Sequence, residues 1–260
     1  MITVRASSVC DLLDCPKRWE AKHIYKMTVP TSASARIGTA IHKATCYFDS
    51  ARIMDSRPPL DNVLATAADD IWQVKEEPTD WSDCPQTEAE NIAKEMSRMY
   101  CTQIAPMFHF KECEVQLPNV RIKDLGIELQ GQVDRITELN AIGEMKSGKS
   151  VVSPDGTVGI GYYWLQVGIY EFMLSTARKV KIGEPSSIIG LQVAKTARGR
   201  RVGIGKVIGA RAAVVGTPEQ PGILHHVSAI LKSGMFPGNP RSNLCNPKFC
   251  PCYKQCSFHG

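Results

Sequence analysis

No stretch of the 260-residue sequence approaches the roughly 18 apolar residues that a helical membrane span needs. Membrane-spanning helices are therefore excluded as the basis of function. Met1 to Cys10 lacks the apolar core of a secretion signal, which predicts a cytoplasmic setting. No internal repeat is present, and no linker is long enough to demand two domains. Acidic residues are missing altogether between Pro185 and Pro218. The chain as a whole carries 31 Lys+Arg against 26 Asp+Glu, a net charge of +5, with 43% apolar and 22% charged residues. That balance suits a soluble globular protein and is too apolar for a disordered one. The length buries a sizeable core without disulfides. Four of the ten cysteines, Cys245, Cys250, Cys252 and Cys256, crowd the last sixteen residues. In an intracellular chain this points to a metal or cluster site instead of a disulfide framework.

The spacing predicts a helix start at Ser8, with a hydroxyl cap and Asp11 three residues on. An interruption near Pro16 leaves Cys15 at a bend. Ile37, Ile41, Ala44 and Phe48 recur at helical spacing from Ala35 to about Ala51. Further helices are predicted over 60–76 and 87–105, separated by a breaker-rich loop, Glu77-Pro78-Thr79-Asp80 and Asp83-Cys84-Pro85. Residues 110–117, 127–137 and 141–147 read as successive antiparallel strands, divided by Pro118-Asn119 and Leu139-Asn140. A helix from Tyr162 to Lys179, strands at Ser187–Lys195 and Arg201–Gly209, and a helix from Pro218 to Lys232 follow. The tail from Phe236 holds four prolines and is expected to be irregular. The expectation is one α+β domain over 1–260: a helical region at 35–107, a core at 108–235, and a cysteine tail at 236–260.

The chemistry centres on Gly131-Gln-Val-Asp134 and Gly143-Glu144-Met-Lys146. In a hairpin about Leu139, residues whose numbers sum to 278 face each other. Asp134 then opposes Glu144, and Lys146 shares that face. Two carboxylates so close favour a divalent cation, and oxygen donors suit Mg²⁺ or Mn²⁺. An isolated pattern this short also describes a solvated hairpin face with an ordinary salt bridge. His42, one helical turn beyond Gly38, and Gln166 with Tyr170, one turn apart, read singly as surface or packing residues. The same eight residues, Gly143 to Ser150, match the phosphate-binding pattern G-x-x-x-x-G-K-[ST], which would make the chain a nucleotide hydrolase. That loop must run into a helix, and here it runs into Val151-Val-Ser-Pro154-Asp-Gly156, a poor helix start. The acid-free stretch carries Lys195, Arg198, Arg200, Arg201, Lys206 and Arg211 among glycines. It reads either as a solvated basic face or as a hairpin that follows a phosphate backbone.

Taken in order, these elements resemble the RecB-like branch of the PD-(D/E)xK nuclease superfamily. They are Cys15-Pro16 with Trp19 nearby, Gly38 to His42, Gly131 to Asp134, Glu144 to Lys146, Gln166 to Tyr170, and the C-terminal cysteines. The resemblance implies a restriction-endonuclease-like α+β fold, a central mixed sheet flanked by helices. It implies a metal-dependent deoxyribonuclease, an exonuclease in preference to an endonuclease, serving recombination, repair or viral DNA processing. Its partners would be DNA and a recombination protein, and it could act in a host cell. His42, Asp134, Glu144 and the Met145 carbonyl would hold Mg²⁺ or Mn²⁺, and Lys146 would be the catalytic lysine. Gln166 and Tyr170 would contact DNA or orient the site. Lys195, Arg198, Arg200 and Arg201 are the candidate DNA contacts. Four thiolates suit either an iron–sulfur cluster or a Cys₄ zinc site, and spacing alone leaves both open. The resemblance implies a [4Fe-4S] cluster on Cys15, Cys245, Cys250 and Cys256. Cys252 departs from the family's three tail cysteines and leaves ligation there open. A non-catalytic DNA-binding subunit with a structural cluster is the remaining alternative.

Overall fold

A computed structural model describes residues 1–75 and 78–259; Glu77, named in the expected loop, and position 76, the end of the expected second long helix, lie outside them. The chain runs β1 (Ile2–Arg5), α1 (Val9–Asp14), α2 (Pro16–His23), β2 (Thr31–Ser32), α3 (Ala33–Ile53), α4 (Leu60–Trp72), β3 (Thr79–Asp80) and α5 (Gln86–Met99). It continues with β4 (Phe110–Ile122), β5 (Ile127–Thr137), β6 (Ile142–Gly148), α6 (Trp164–Arg178), β7 (Ser186–Gln192), β8 (Arg201–Val207), α7 (Ala210–Val215) and α8 (Ile223–Ser233). None of the described helices is long and apolar enough to cross a membrane.

Six strands form the central mixed sheet, in the order β1-β5-β6-β7-β8 with β4 on β5. The hairpins β4–β5, β5–β6 and β7–β8 are antiparallel, while β1–β5 and β6–β7 are parallel. The two faces of the sheet build two apolar cores. Ile142, Ile188, Val167 and Ile169 belong to one, with α6, α7 and α8. Met145, Ile189 and Leu191 belong to the other, with the apolar stripes of α3, α4 and α5. The alternation Ile188/Ile189 along β7 is the period of two that sends neighbours to opposite faces. β5 has a divided edge: β1 pairs with Ile127 to Gln130, β6 pairs with Arg135 and Ile136, and residues 131–134 between them have no strand partner on that side among the described residues. The sheet thus opens at the segment that carries Gly131 and Asp134.

Several sequence expectations need correction. Ser8 caps no helix with its hydroxyl; its Oγ donates to the Arg5 carbonyl at 2.9 Å and accepts from the Trp19 indole at 3.1 Å. Pro118-Asn119 does not end a strand. It falls in a register shift between Leu117 and Val120, and the chain turns only at 123–126, where Gly126 takes a positive φ of 69°. α4 stops at Trp72, because Gln73 is already extended. The helix expected over 87–105 divides, with α5 ending at Met99 and a wider π turn continuing to Ile104 before Pro106. The last helix starts at Ile223 and not Pro218, since Thr217 and Gln220 close a turn first. β1 and α7 carried too short a pattern to be read. Both the sheet and the site draw on residues before 108: β1 joins the sheet, and α3 packs on β4 and β6.

Candidate active site

Ser32 starts α3 by accepting the Ala35 N–H on its side chain at 3.2 Å, an N-cap that satisfies an otherwise orphaned donor. Buried Ile37, Ala40, Ile41 and Ala44 then press the helix onto the sheet. Gly38 permits that approach: a Cβ there would lie 2.6 Å from Ser147 Oγ on β6. His42, one turn later, comes to Asp134 with Nδ1 3.6 Å from Oδ1. The other Asp134 oxygen accepts the Met145 backbone N–H at 2.7 Å. The β5–β6 pairs Arg135/Gly143 and Ile136/Ile142 follow the expected sum of 278. Asp134 and Glu144 lie just beyond the last pair, where the strands separate. There the carboxylate of Asp134, and no backbone carbonyl of β5, receives the Met145 N–H.

Glu144 is buried, 3% exposed. Its Oε1 accepts from Lys146 Nζ at 2.8 Å and from Gln166 Nε2 at 2.7 Å. Lys146 Nζ also donates to Gln166 Oε1 at 2.9 Å and lies 5.0 Å from the centroid of the Tyr163 ring. Gln166 Nε2 further contacts the Tyr170 hydroxyl at 3.0 Å. Tyr170 fits because Gly131 has no side chain, a Cβ there falling 2.6 Å from the ring. Glu144 Oε2 is buried and has no hydrogen-bond partner among the described residues. Burial, then the Asp134 charge, pushes the Glu144 carboxyl up to about 7. Burial would also raise Asp134, but the His42 imidazole 3.6 Å away and the Met145 N–H hold it below the usual carboxylate range. Burial opposes charge on His42 and Lys146 too; Asp134 and Glu144 respectively overcome it, and both bases are raised.

Sequence reading missed two residues here. Glu114, between the pairs Cys113/Arg135 and Val115/Val133, falls opposite Asp134, and single ligand atoms of His42, Glu114 and Asp134 lie within 4.8 Å of one another. Its φ of 48° is unusual for a non-glycine residue, and Gln132 Nε2 (2.7 Å) and Arg135 (3.4 Å) hold its carboxylate. The β4–β5 register could have revealed it, had Pro118-Asn119 not been read as a strand end. Arg135 is fully buried beneath the site. It donates to Asp49 at 2.7 Å, to the Asp134 carbonyl at 2.7 Å and to Thr45 at 3.3 Å, while Tyr100 donates to Asp49 at 2.5 Å. Asp49 and Thr45 are on α3, so this network fixes α3 to β5 and with it His42 to Asp134.

Met145 turns its side chain into the second core, where its thioether accepts from Thr45 at 3.5 Å. β6 stops at Gly148, and no helix begins until Trp164. The Val151 and Val152 amides go instead to Gln192 Oε1, at 2.8 and 3.1 Å. The phosphate-loop alternative therefore lacks its helix, and Lys149 lies in the turn after β6. The basic hairpin forms as β7–β8 but divides in role. Arg200 is tied to Glu95 and to the Ala194 and Lys195 carbonyls, and Arg201 reaches the Val152 carbonyl at 3.2 Å. Lys195 and Arg198 remain exposed.

At the other end, Cys15 sits in extended conformation between α1 and α2. Cys15, Cys245, Cys250, Cys252 and Cys256 line one small cavity. The tail is fastened to α1 and α2 by Ser242 to Asp14 (2.6 Å), Asn239 to the Asp14 carbonyl (2.9 Å) and Lys17 N–H to the Pro237 carbonyl (3.2 Å).

Comparison with known proteins agrees with this arrangement. The family model of the PD-(D/E)XK nuclease superfamily matches residues 4–257. Among solved structures, the crystal structure of a "Putative exonuclease" from Eubacterium rectale is 13% identical, with a TM-score of 0.56 over 96% of this chain and 86% of that one. The crystal structure of SSO0001 is 14% identical, with a TM-score of 0.45 over 98% and 85% of the two chains. No curated protein matches the sequence. With a mixed sheet flanked by helices and a family match over nearly its whole length, the chain belongs to the PD-(D/E)XK nuclease superfamily and has its restriction-endonuclease-like α+β fold.

Proposed function

We propose that the protein is a Mg²⁺- or Mn²⁺-dependent deoxyribonuclease acting from DNA ends, in recombination, repair or viral DNA processing. The observation that carries the metal is the buried Glu144 carboxylate, one oxygen of which has no partner among the described residues, and which feels the Asp134 charge. An unpaired buried carboxylate oxygen is costly unless a cation completes it. His42, Glu114 and Asp134 each offer a ligand atom within 4.8 Å of the others, and Glu144 and the Met145 carbonyl, which the resemblance implies, complete the ligand set of this reading. Bound there, the ion supplies Lewis-acid polarisation of a phosphoryl oxygen and eases deprotonation of water.

The chain's own residues do the rest. Lys146 places an ammonium beside Glu144, where it orients a water or offsets charge developing on the phosphate. Gln166 holds both groups at once, donating to Glu144 and accepting from Lys146. Tyr170 shares the Gln166 amide and so restricts its rotation. Lys195 and Arg198 supply exposed cations for the phosphate backbone, whereas Arg200 and Arg201 serve it mainly by shaping the hairpin. Cys15, Cys245, Cys250 and Cys256 hold a [4Fe-4S] cluster that closes the chain ends together. Tetrahedral zinc, with Zn–S of about 2.3 Å, draws its sulfurs to roughly 3.8 Å of one another. The Cys250 and Cys252 sulfurs lie 3.6 Å apart, a spacing that suits zinc as well, so it is the resemblance that supports the cluster.

The test is incubation with end-labelled linear and closed circular DNA, with and without Mn²⁺. Metal-dependent loss of linear DNA alone is expected. Equal cutting of closed circles would replace the exonuclease reading with an endonuclease, and no cutting of either would remove the nuclease reading.

A further inference from the structure

Two sequence features lie outside the metal site above: the lysine of Gly148-Lys149-Ser150, and Lys195 in the loop of the basic hairpin. In the fold they meet. Both line a cavity of about 310 Å³ at the ends of β6 and β7, whose apolar wall includes Ile37, Cys84, Ile92 and Val193. Each lysine is exposed and lacks a carboxylate partner among the described residues. Asp83 also lines the cavity, but its carboxylate is bound by Lys248.

The cavity is built rather than incidental. Gln192, buried, receives the Val151 and Val152 amides on Oε1 and donates from Nε2 to the Lys149 carbonyl. Val193 N–H bonds the Gly148 carbonyl at 2.8 Å. These bonds fix the turn from which Lys149 emerges.

We propose that this cavity receives one unpaired nucleotide of the substrate strand, its base against the apolar wall and its phosphates on Lys149 and Lys195. The proposal rests on the nuclease reading and names the substrate it prefers, DNA with unpaired nucleotides. Lys149 is three residues beyond Lys146, at most about 10 Å along an extended chain. That distance is about three phosphate steps of a B-form strand, which advances about 3.4 Å per nucleotide, and fewer steps of an unstacked one. A strand that leaves Lys146 toward the far ends of β6 and β7 therefore reaches the cavity mouth within a few nucleotides. A base can enter an apolar cavity only after leaving its stack and its pairing partner.

The test is fluorescence anisotropy in EDTA, so that nothing is cut. The probes are a labelled 12-nucleotide single strand, its blunt duplex, and a set of strands with one abasic position moved along the sequence. Wild-type protein is expected to bind the single strand at least tenfold tighter than the duplex, and to lose about tenfold at one or two abasic positions. K149A/K195A should weaken single-strand binding about tenfold and reduce the salt slope by about 1.4, the value for two lost phosphate contacts. A194W, which fills the cavity, should bind intact and abasic strands alike. Equal affinity of wild-type protein for strand and duplex, or indifference to every abasic position, overturns the proposal without recourse to any variant. Mn²⁺-dependent cleavage by the same preparation is scored separately. Cleavage without single-strand preference sinks the cavity proposal alone, and absence of cleavage sinks the nuclease reading.

Discussion

Glu144→Gln isolates the electrostatic strain of the site. In the metal-free protein, burial and then the Asp134 charge raise the Glu144 carboxyl from 4.5 to about 7. A raised acid binds its proton more tightly in the folded state, so its ionisation costs stability. The cost is absent below the unfolded value near 4.5, grows as pH rises through the interval, and is complete above about 7. At about 1.4 kcal/mol per pH unit, that interval corresponds to about 3 kcal/mol. Other carboxylates also titrate with pH, so the informative quantity is the difference between variant and wild type. Glutamine resembles the protonated acid and still accepts from Lys146 and Gln166. Near pH 5 the difference is therefore set by packing alone; by pH 8 the variant should gain up to about 3 kcal/mol on the wild type. His42, whose raised value also removes stability as pH rises above 6.5, is common to both proteins. The assay is urea unfolding followed by tryptophan fluorescence at pH 5, 6, 7 and 8 in EDTA, with the cysteine site in the same state in both. Mn²⁺ should stabilise wild type more at pH 8 than at pH 5, and the variant much less at either. Parallel stability profiles for the two proteins would refute the reasoning, because they would mean that Glu144 titrates as an ordinary carboxylate.

Lys146→Ala should abolish cleavage while leaving DNA binding nearly intact, whereas Lys149→Ala should cut at near wild-type rate once DNA is saturating; single-turnover assays separate the two, and nucleotide hydrolysis lost with Lys149 alone would restore the phosphate-loop reading. Arg135→Met should cost about 3–5 kcal/mol, since it strands the buried Asp49 carboxylate, and chemical denaturation reads it directly; a change under 1 kcal/mol would mean that the network does not hold α3 to β5. Anaerobically purified protein should be brown with about four irons per chain, colour lost in Cys15→Ser and kept in Cys252→Ser; colourless protein holding one zinc, insensitive to Cys15→Ser, would sink the cluster assignment. His42→Ala should raise the Mn²⁺ concentration needed for activity more than it lowers the unfolding midpoint, because imidazole adds a ligand suited to transition metals; unchanged metal dependence would remove His42 from the site.

Local patterns carried much of this structure. The apolar stripe of α3, the break at Cys15-Pro16 and the alternation of β5 and β6 are written in neighbouring residues, where the helical and strand periods act directly. The hairpin register followed from the turn, because two antiparallel strands joined by a short loop have few alternatives. Glu144 and Lys146 on one face needed no more than the period of two. Short elements escaped: β1 and α7 are too brief for any periodicity, and β1 is ordered by its pairing with β5.

What the tertiary structure alone decided is how segments far apart in sequence meet. The divided edge of β5 arises because β1 and β6 take different stretches of it, and neither pairing is visible in the other's sequence. Glu114 joins His42 and Asp134 through a register that a proline disguises, and Arg135 is a buried cation only because Asp49 and Tyr100 close over it. Arg200 and Lys195 look alike in the basic hairpin, yet packing binds the first to Glu95 and leaves the second at a cavity with Lys149. Periodicity specifies which face a residue takes on its own element; which element covers that face depends on the summed packing of both cores, and no local pattern contains that sum.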